Sequence, residues 1–124
     1  MNTKSFSAYL QDKKNKANLT NSKLAATARI SAVYLGEIIK NRKNPPDKKT
    51  QYALADALKL TDEEKSEFFD LAANERGELP VDIYDFILEH KQLQKEIRAL
   101  IKSEKRGEEV QHEFSKANRQ INQS

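Results

Sequence analysis

Apolar residues recur at spacings of three and four along most of the chain, and polar residues fill the intervals; this is the period of amphipathic helices. The first predicted helix runs from about Ser5 to Ala17, with Phe6, Tyr9, Leu10 and Lys13 on one face. Asn18 follows in the place of a left-handed C-cap, a geometry Asn tolerates, and Leu19 supplies the apolar contact beyond it. Thr20 is a good N-cap for a second helix, which carries Leu24, Ala25 and Ala28 on one face and stops near Thr27 to Arg29. Ser31 caps a third. Ile30, just before it, is placed to pack on Leu35 as a hydrophobic staple, and Leu35 and Ile38 face inward. Gly36 is a weak point in this helix, which ends before Asn41.

Asn41 to Asp47, with two consecutive prolines, reads as a loop. A fourth helix spans roughly Lys48 to Leu58 and carries Tyr52, Leu54, Ala55 and Leu58. Thr61-Asp62-Glu63-Glu64 is a capping box opening a fifth, whose apolar side is Phe68, Phe69, Leu71 and Ala72; Gly77 closes it. Pro80 suits the first turn of a sixth helix predicted from Val81 to Lys105. There Ile83, Phe86, His90, Leu93, Ile97 and Leu100 alternate spacings of three and four, a heptad seam with His90 as its one polar member. Gly107 breaks this helix. Val110, Phe114, Ala117 and Ile121 beyond it fit a short amphipathic helix or a disordered tail. No strand pattern, repeat or low-complexity block is present, so the expected class is all-α, a domain over 1–76 with a helical extension over 77–124.

Charge sharpens this division. Residues 1–60 hold twelve Lys or Arg and four Asp or Glu, net +8, whereas residues 61–124 hold ten against fifteen, net −5. A basic front half suits a polyanionic partner and an acidic rear half suits another task. With no cysteine, disulfides, thiolate metal sites and a cysteine nucleophile are excluded. No apolar run approaches the ~20 residues of a membrane span, and the N-terminus leads into no signal-peptide block; a cytoplasmic, membrane-free protein is expected. His90 reads as a tolerated polar residue on the seam and His112 as a tail residue. No His/Asp/Glu spacing suggests a metal site, and no phosphate loop or nucleophile motif occurs, so neither catalysis nor a cofactor is expected.

The informative stretch is Leu19 to Pro45, LTNSKLAATARISAVYLGEIIKNRKNP. Two short helices separated by about three residues force a sharp crossing. Ala25 permits close approach, Ile30 fills the turn, and Leu35 and Ile38 anchor the second helix. The stretch resembles the lambda repressor/Cro-like (XRE-type) helix-turn-helix family at Leu19, Thr20, Leu24, Ala25, Ala28, Ile30, Ser31, Tyr34, Leu35, Ile38 and Pro45, with flanking matches at Tyr9-Leu10 and Tyr52 to Leu58. It departs from the family pattern at Asn21 (usually Gln), Arg29 (usually Gly), Ile39 (usually Glu) and Asn41 (usually Gly).

The resemblance, which covers about residues 5–75, implies a five-helix DNA-binding domain whose third helix enters the major groove of double-stranded DNA. Carried over by position, it implies base-edge contacts from Ala32, Val33, Tyr34 and Glu37: methyl groups meet thymine methyls, and a carboxylate accepts from cytosine N4. Thr20, Asn21, Lys23, Lys40, Asn41, Arg42 and Lys43 are then candidates for phosphate contacts. The seam Ile83, Phe86, His90, Leu93, Ile97 and Leu100 suits either packing back on the five-helix domain or pairing of two copies, and a dimer suits an inverted-repeat operator, as a transcriptional repressor would use. The alternative is an interaction module, such as an antitoxin or mobile-element accessory factor, that keeps the fold and binds protein through its C-terminal helices.

Overall fold

The computed structural model describes residues 4–106. Among them are seven α-helices and no strand, which meets the all-α expectation: α1 (Phe6–Lys16), α2 (Asn21–Ala28), α3 (Ala32–Ile39), α4 (Lys48–Ala57), α5 (Asp62–Arg76), α6 (Val81–Glu89) and α7 (Lys91–Lys105). The tail expected to hold Val110, Phe114, Ala117 and Ile121 lies outside the described residues.

The helix starts follow from local chemistry. The first amides of a helix lack intrahelical partners, and a short polar side chain just before the helix supplies one. Thus the Ala8 amide donates to Ser5 Oγ (3.0 Å), Lys23 to Thr20 Oγ1 (3.1 Å), Tyr34 to Ser31 Oγ (3.0 Å) and Thr50 to Asp47 Oδ1 (3.1 Å). At α5 the capping box is complete: the Glu64 amide donates to Thr61 Oγ1 (3.2 Å) and the Thr61 amide to Glu64 Oε1 (2.9 Å).

The ends are equally regular. Asn18 (φ 56°), Arg29 (62°), Asn41 (61°), Lys59 (54°) and Gly77 (69°) are all left-handed and close α1 to α5 in turn. After each of these, the next amide reaches back to the helix: Leu19 to the Lys14 carbonyl, Ile30 to Ala25, Arg42 to Glu37, Leu60 to Ala55 and Glu78 to Ala73, the Schellman pattern. Arg29 and Lys59 hold a conformation that costs a residue with a Cβ roughly 1–2 kcal/mol, and the turn between α2 and α3 is left-handed at Arg29 although no glycine stands there. Leu19, Ile30 and Leu60 turn back onto the core; the residue in the same place after α3 is Arg42, which is exposed.

One compact unit ends at Tyr84 and a second begins at Asp85. In the first, α2 packs on α3 and α4, α1 on α3 and α5, and α4 on α5. Phe6, Leu10, Leu24, Leu35, Ile38, Leu54 and Phe68 are fully buried at the centre. Phe68 meets Phe6 at 4.8 Å and Phe69 at 5.9 Å between ring centroids. Ile30, expected in the core, is half-buried and packs against its edge.

Polar contacts across the sequence lock the helices together. Glu75 Oε2 accepts from the Phe6 amide at 2.6 Å, so a side chain of α5 caps α1. Arg76 donates to the Pro45 carbonyl and Gln51 to that of Pro46, both at 2.8 Å, which pins the buried proline loop. Lys13 Nζ meets Glu64 Oε2 at 2.7 Å. That ammonium and the Thr61 amide hold the Glu64 carboxyl down to about 2. A depressed carboxylate pKa stabilises the fold above the unfolded value, 4.5 here, and this contribution disappears as pH falls toward about 2. Thermal melts of the wild type should lose stability across that window; Glu64→Gln, already weakened at neutral pH, should show a flatter acid limb.

The single helix expected from Val81 to Lys105 is corrected by the structure. It is divided at His90, whose φ of −118° and ψ of 87° lie outside helical space. The reason is local competition for the last carbonyls of α6. His90 Nδ1 donates to the Phe86 carbonyl (2.6 Å), with its ring stacked on Phe86 at 3.8 Å. Gln94 Nε2 donates to the carbonyls of Ile87 (2.7 Å) and Leu88 (3.3 Å). Side chains thus take acceptors that the next turn of backbone would have used. Ile83 and Phe86 therefore lie on α6, Leu93, Ile97 and Leu100 on α7, and His90 at the break, so the six do not form one straight seam.

Candidate nucleic-acid interface

α2 and α3 are joined by three residues, Arg29, Ile30 and Ser31. Leu35 (0% exposed) and Ile38 (1%) hold one side of α3 in the core. The opposite side begins with Ala32 and Val33, both exposed, Val33 at 76%. An eight-residue helix capped by Ser31 and anchored at its fourth and seventh positions presents its first turn to solvent. That is the end of a helix that reaches base edges when the rod enters a major groove.

The structure separates the four residues implied for base contact. Ala32 and Val33 are exposed, while Tyr34 and Glu37 are half-buried. Tyr34 packs against the core edge. Glu37 faces Arg42 Nη1 at 3.8 Å, a partly exposed ion pair of small energetic worth. To accept from a cytosine, Glu37 would release Arg42, which then becomes available to a phosphate.

Of the residues implied for phosphate contact, Lys23, Lys40, Asn41, Arg42 and Lys43 are exposed. The left-handed Asn41 turns the chain so that Arg42 and Lys43 leave the end of α3 into solvent. Thr20 is exposed, but its hydroxyl oxygen accepts from the Lys23 amide; its own proton stays free to donate. Asn21 is half-buried, with its Oδ1 buried and unpartnered, which leaves Nδ2 as its donor. Arg29 is a further exposed cation, at the turn beside the start of α3; its sequence signal, a cation where the resembled pattern has glycine, reads first as a backbone cost rather than as a charge.

Gly36 sits inside α3 although a Cβ built there would meet nothing within 4 Å. Replacing it with Ala should stabilise the protein by about 0.8–1.0 kcal/mol, because Gly is the poorer helix former by that amount. A thermal melt checks the gain. No gain would mean that α3 is already fixed entirely by tertiary packing.

Among the described residues, no group of three or more His, Cys, Asp or Glu side chains could hold a metal ion, and no helix is long and apolar enough to cross a membrane. No protein-family model matches the chain, and no curated protein matches it.

Proposed function

We propose that the protein is a cytoplasmic, sequence-specific DNA-binding regulator of the lambda repressor/Cro-like helix-turn-helix type. The observation that carries this reading is the exposed first turn of α3, set on a buried Leu35–Ile38 anchor, together with the exposed cations Lys23 on α2, Arg29 in the turn before α3 and Lys40, Arg42 and Lys43 beyond its end. A helix presents side chains to base edges from such a turn, and the cations neutralise phosphates on either side. Ala32 and Val33 are the readers of thymine methyls. Tyr34 and Glu37 reach bases after side-chain movement. Thr20, Asn21 and Asn41 add neutral donors to the backbone contacts. A single domain of this size makes a modest interface, so we infer a dimer acting as a repressor on an inverted repeat.

Selection of bound duplexes from random DNA tests the reading. Recovery of a defined, two-fold symmetric site whose affinity falls steeply with salt is expected. Failure of every duplex to bind at low ionic strength would sink it. A second reading, a protein-interaction module on the same fold, draws on the exposed Leu79, Ile83, Tyr84, Phe86, Leu88 and Ile101; it predicts a retained protein partner with no DNA binding.

A further inference from the structure

Where α5 gives way to α6, the first compact unit has a cavity of about 530 Å³, lined by Lys48, Arg76, Glu78, Leu79, Val81 and Tyr84. One turn of the chain builds it. Gly77 is left-handed (φ 69°) and the Glu78 amide returns to the Ala73 carbonyl, so the chain swings off α5 and runs through Leu79 and Pro80 to α6. Val81, the first residue of α6, is buried in the core cluster and gives the cavity a fixed wall. Leu79 and Tyr84, its other apolar walls, are 54% and 48% exposed. Single exposed apolar residues are ordinary on a surface. Apolar walls around a concavity within the roughly 300–1,000 Å³ of small-molecule sites mark a ligand pocket.

The polar groups set the kind of ligand. Glu78 accepts from Arg76 twice, at Oε2 from Nε (3.0 Å) and at Oε1 from Nη2 (3.1 Å), so these two lining charges cancel. Lys48, the first residue of α4, then leaves the lining at net +1, two cations against one carboxylate. Its ammonium lies 5.3 Å from the centroid of the Tyr84 ring. An ammonium has three donors, so it can hold a ligand carboxylate while keeping contacts of its own. We propose that this cavity binds a small carboxylate with an apolar body, the body against Leu79, Val81 and Tyr84 and the carboxylate at Lys48. A cationic ligand would meet Lys48 and Arg76 with like charge, and an anion without an apolar body would leave the walls in water. Arg76 also donates to the Pro45 carbonyl at 2.8 Å, which ties the cavity to the proline loop after α3. None of the six lining residues lies on α2 or α3 or is assigned to DNA, so this site stands or falls apart from the function proposed above.

Titration of the full chain with phenylbutyrate, followed by NMR at the Leu79 and Val81 methyls and the Tyr84 ring, is the experiment. Saturable shifts centred on these residues are expected, with a Kd of about 1 mM or tighter. Phenylbutanol, which has the same apolar body and no charge, should bind about fivefold or more weakly, and acetate should shift none of the three. Lys48→Gln should raise the Kd for phenylbutyrate about fivefold or more and leave that for phenylbutanol unchanged, a split that a merely structural role of Lys48 would not give. Leu79→Gln should weaken both ligands. Lys48 and Leu79 are exposed, so neither change should disturb the core. Shifts that never saturate, equal binding of the acid and the alcohol, or a Lys48→Gln variant that binds phenylbutyrate as the wild type does would overturn the proposal.

Discussion

On the proposed reading, replacing Arg42 and Lys43 together by Glu should weaken DNA binding at ~0.1 M salt by about 100-fold or more. Both side chains are exposed and leave the end of α3 through the left-handed Asn41, so neither supports the core. Each phosphate contact releases counterions, and losing two should reduce the slope of log affinity against log salt by about 1.8. The loss should be nearly uniform across sequences, because phosphate contacts position a protein without reading bases. Salt titration by gel shift, on the selected site and on random duplex, measures both quantities. An unchanged slope would place the DNA elsewhere on the surface. Arg42 also faces Glu37, so Arg42→Glu puts two carboxylates together at the end of α3. Helical content and thermal midpoint should be compared with the wild type; for an exposed pair the change should stay within about 0.5 kcal/mol.

Leu35→Ala should damage both stability and binding. Leu35 is completely buried between α3 and the helices beneath it, and losing its side chain removes transfer energy and leaves a cavity. The expected cost is about 2–5 kcal/mol. For a domain of this size each kcal/mol moves the midpoint by roughly 4–8 °C, so a fall of 10 °C or more is expected by calorimetry. DNA affinity should fall further than the unfolded fraction alone explains, because the anchor that sets the angle of α3 is gone. A midpoint within a few degrees of wild type would show that Ile38, with Tyr34 and Ile39 at its flanks, holds α3 without Leu35.

The two experiments separate charge from scaffold. The first removes electrostatic contact and leaves the fold; the second loosens the rod and leaves every charge in place. Val33, 76% exposed and apolar, belongs to neither group. Nothing within the described fold covers it, which is what a reader of thymine methyls requires.

Much of the fold was legible in the sequence because its helices begin and end through contacts within a few residues. Thr20, Ser31 and the Thr61–Glu64 box cap helices where short polar side chains precede apolar periodicity, and Asn18 and Gly77 are left-handed where Asn and Gly tolerate that backbone. The inward positions Leu24, Ala25, Leu35 and Ile38 follow from the 3.6-residue period alone. Arg29 and Lys59 show where residue type stops being a guide: both are left-handed against their own preference, held by carbonyls of the preceding helix and by the apolar residue that follows.

Only the tertiary structure brought Glu75 to the Phe6 amide, Lys13 to Glu64 and Arg76 to the Pro45 carbonyl, pairs separated by 69, 51 and 31 positions. The break at His90, where the heptad spacing reads straight through, is local in origin but invisible to the period, because the side chains of His90 and Gln94 take the last carbonyls of α6. The physical reason is range. Caps and periodicity are encoded by neighbours three or four residues apart, so they can be read along the chain. Which distant charge meets which depends on the packed arrangement of all the helices at once.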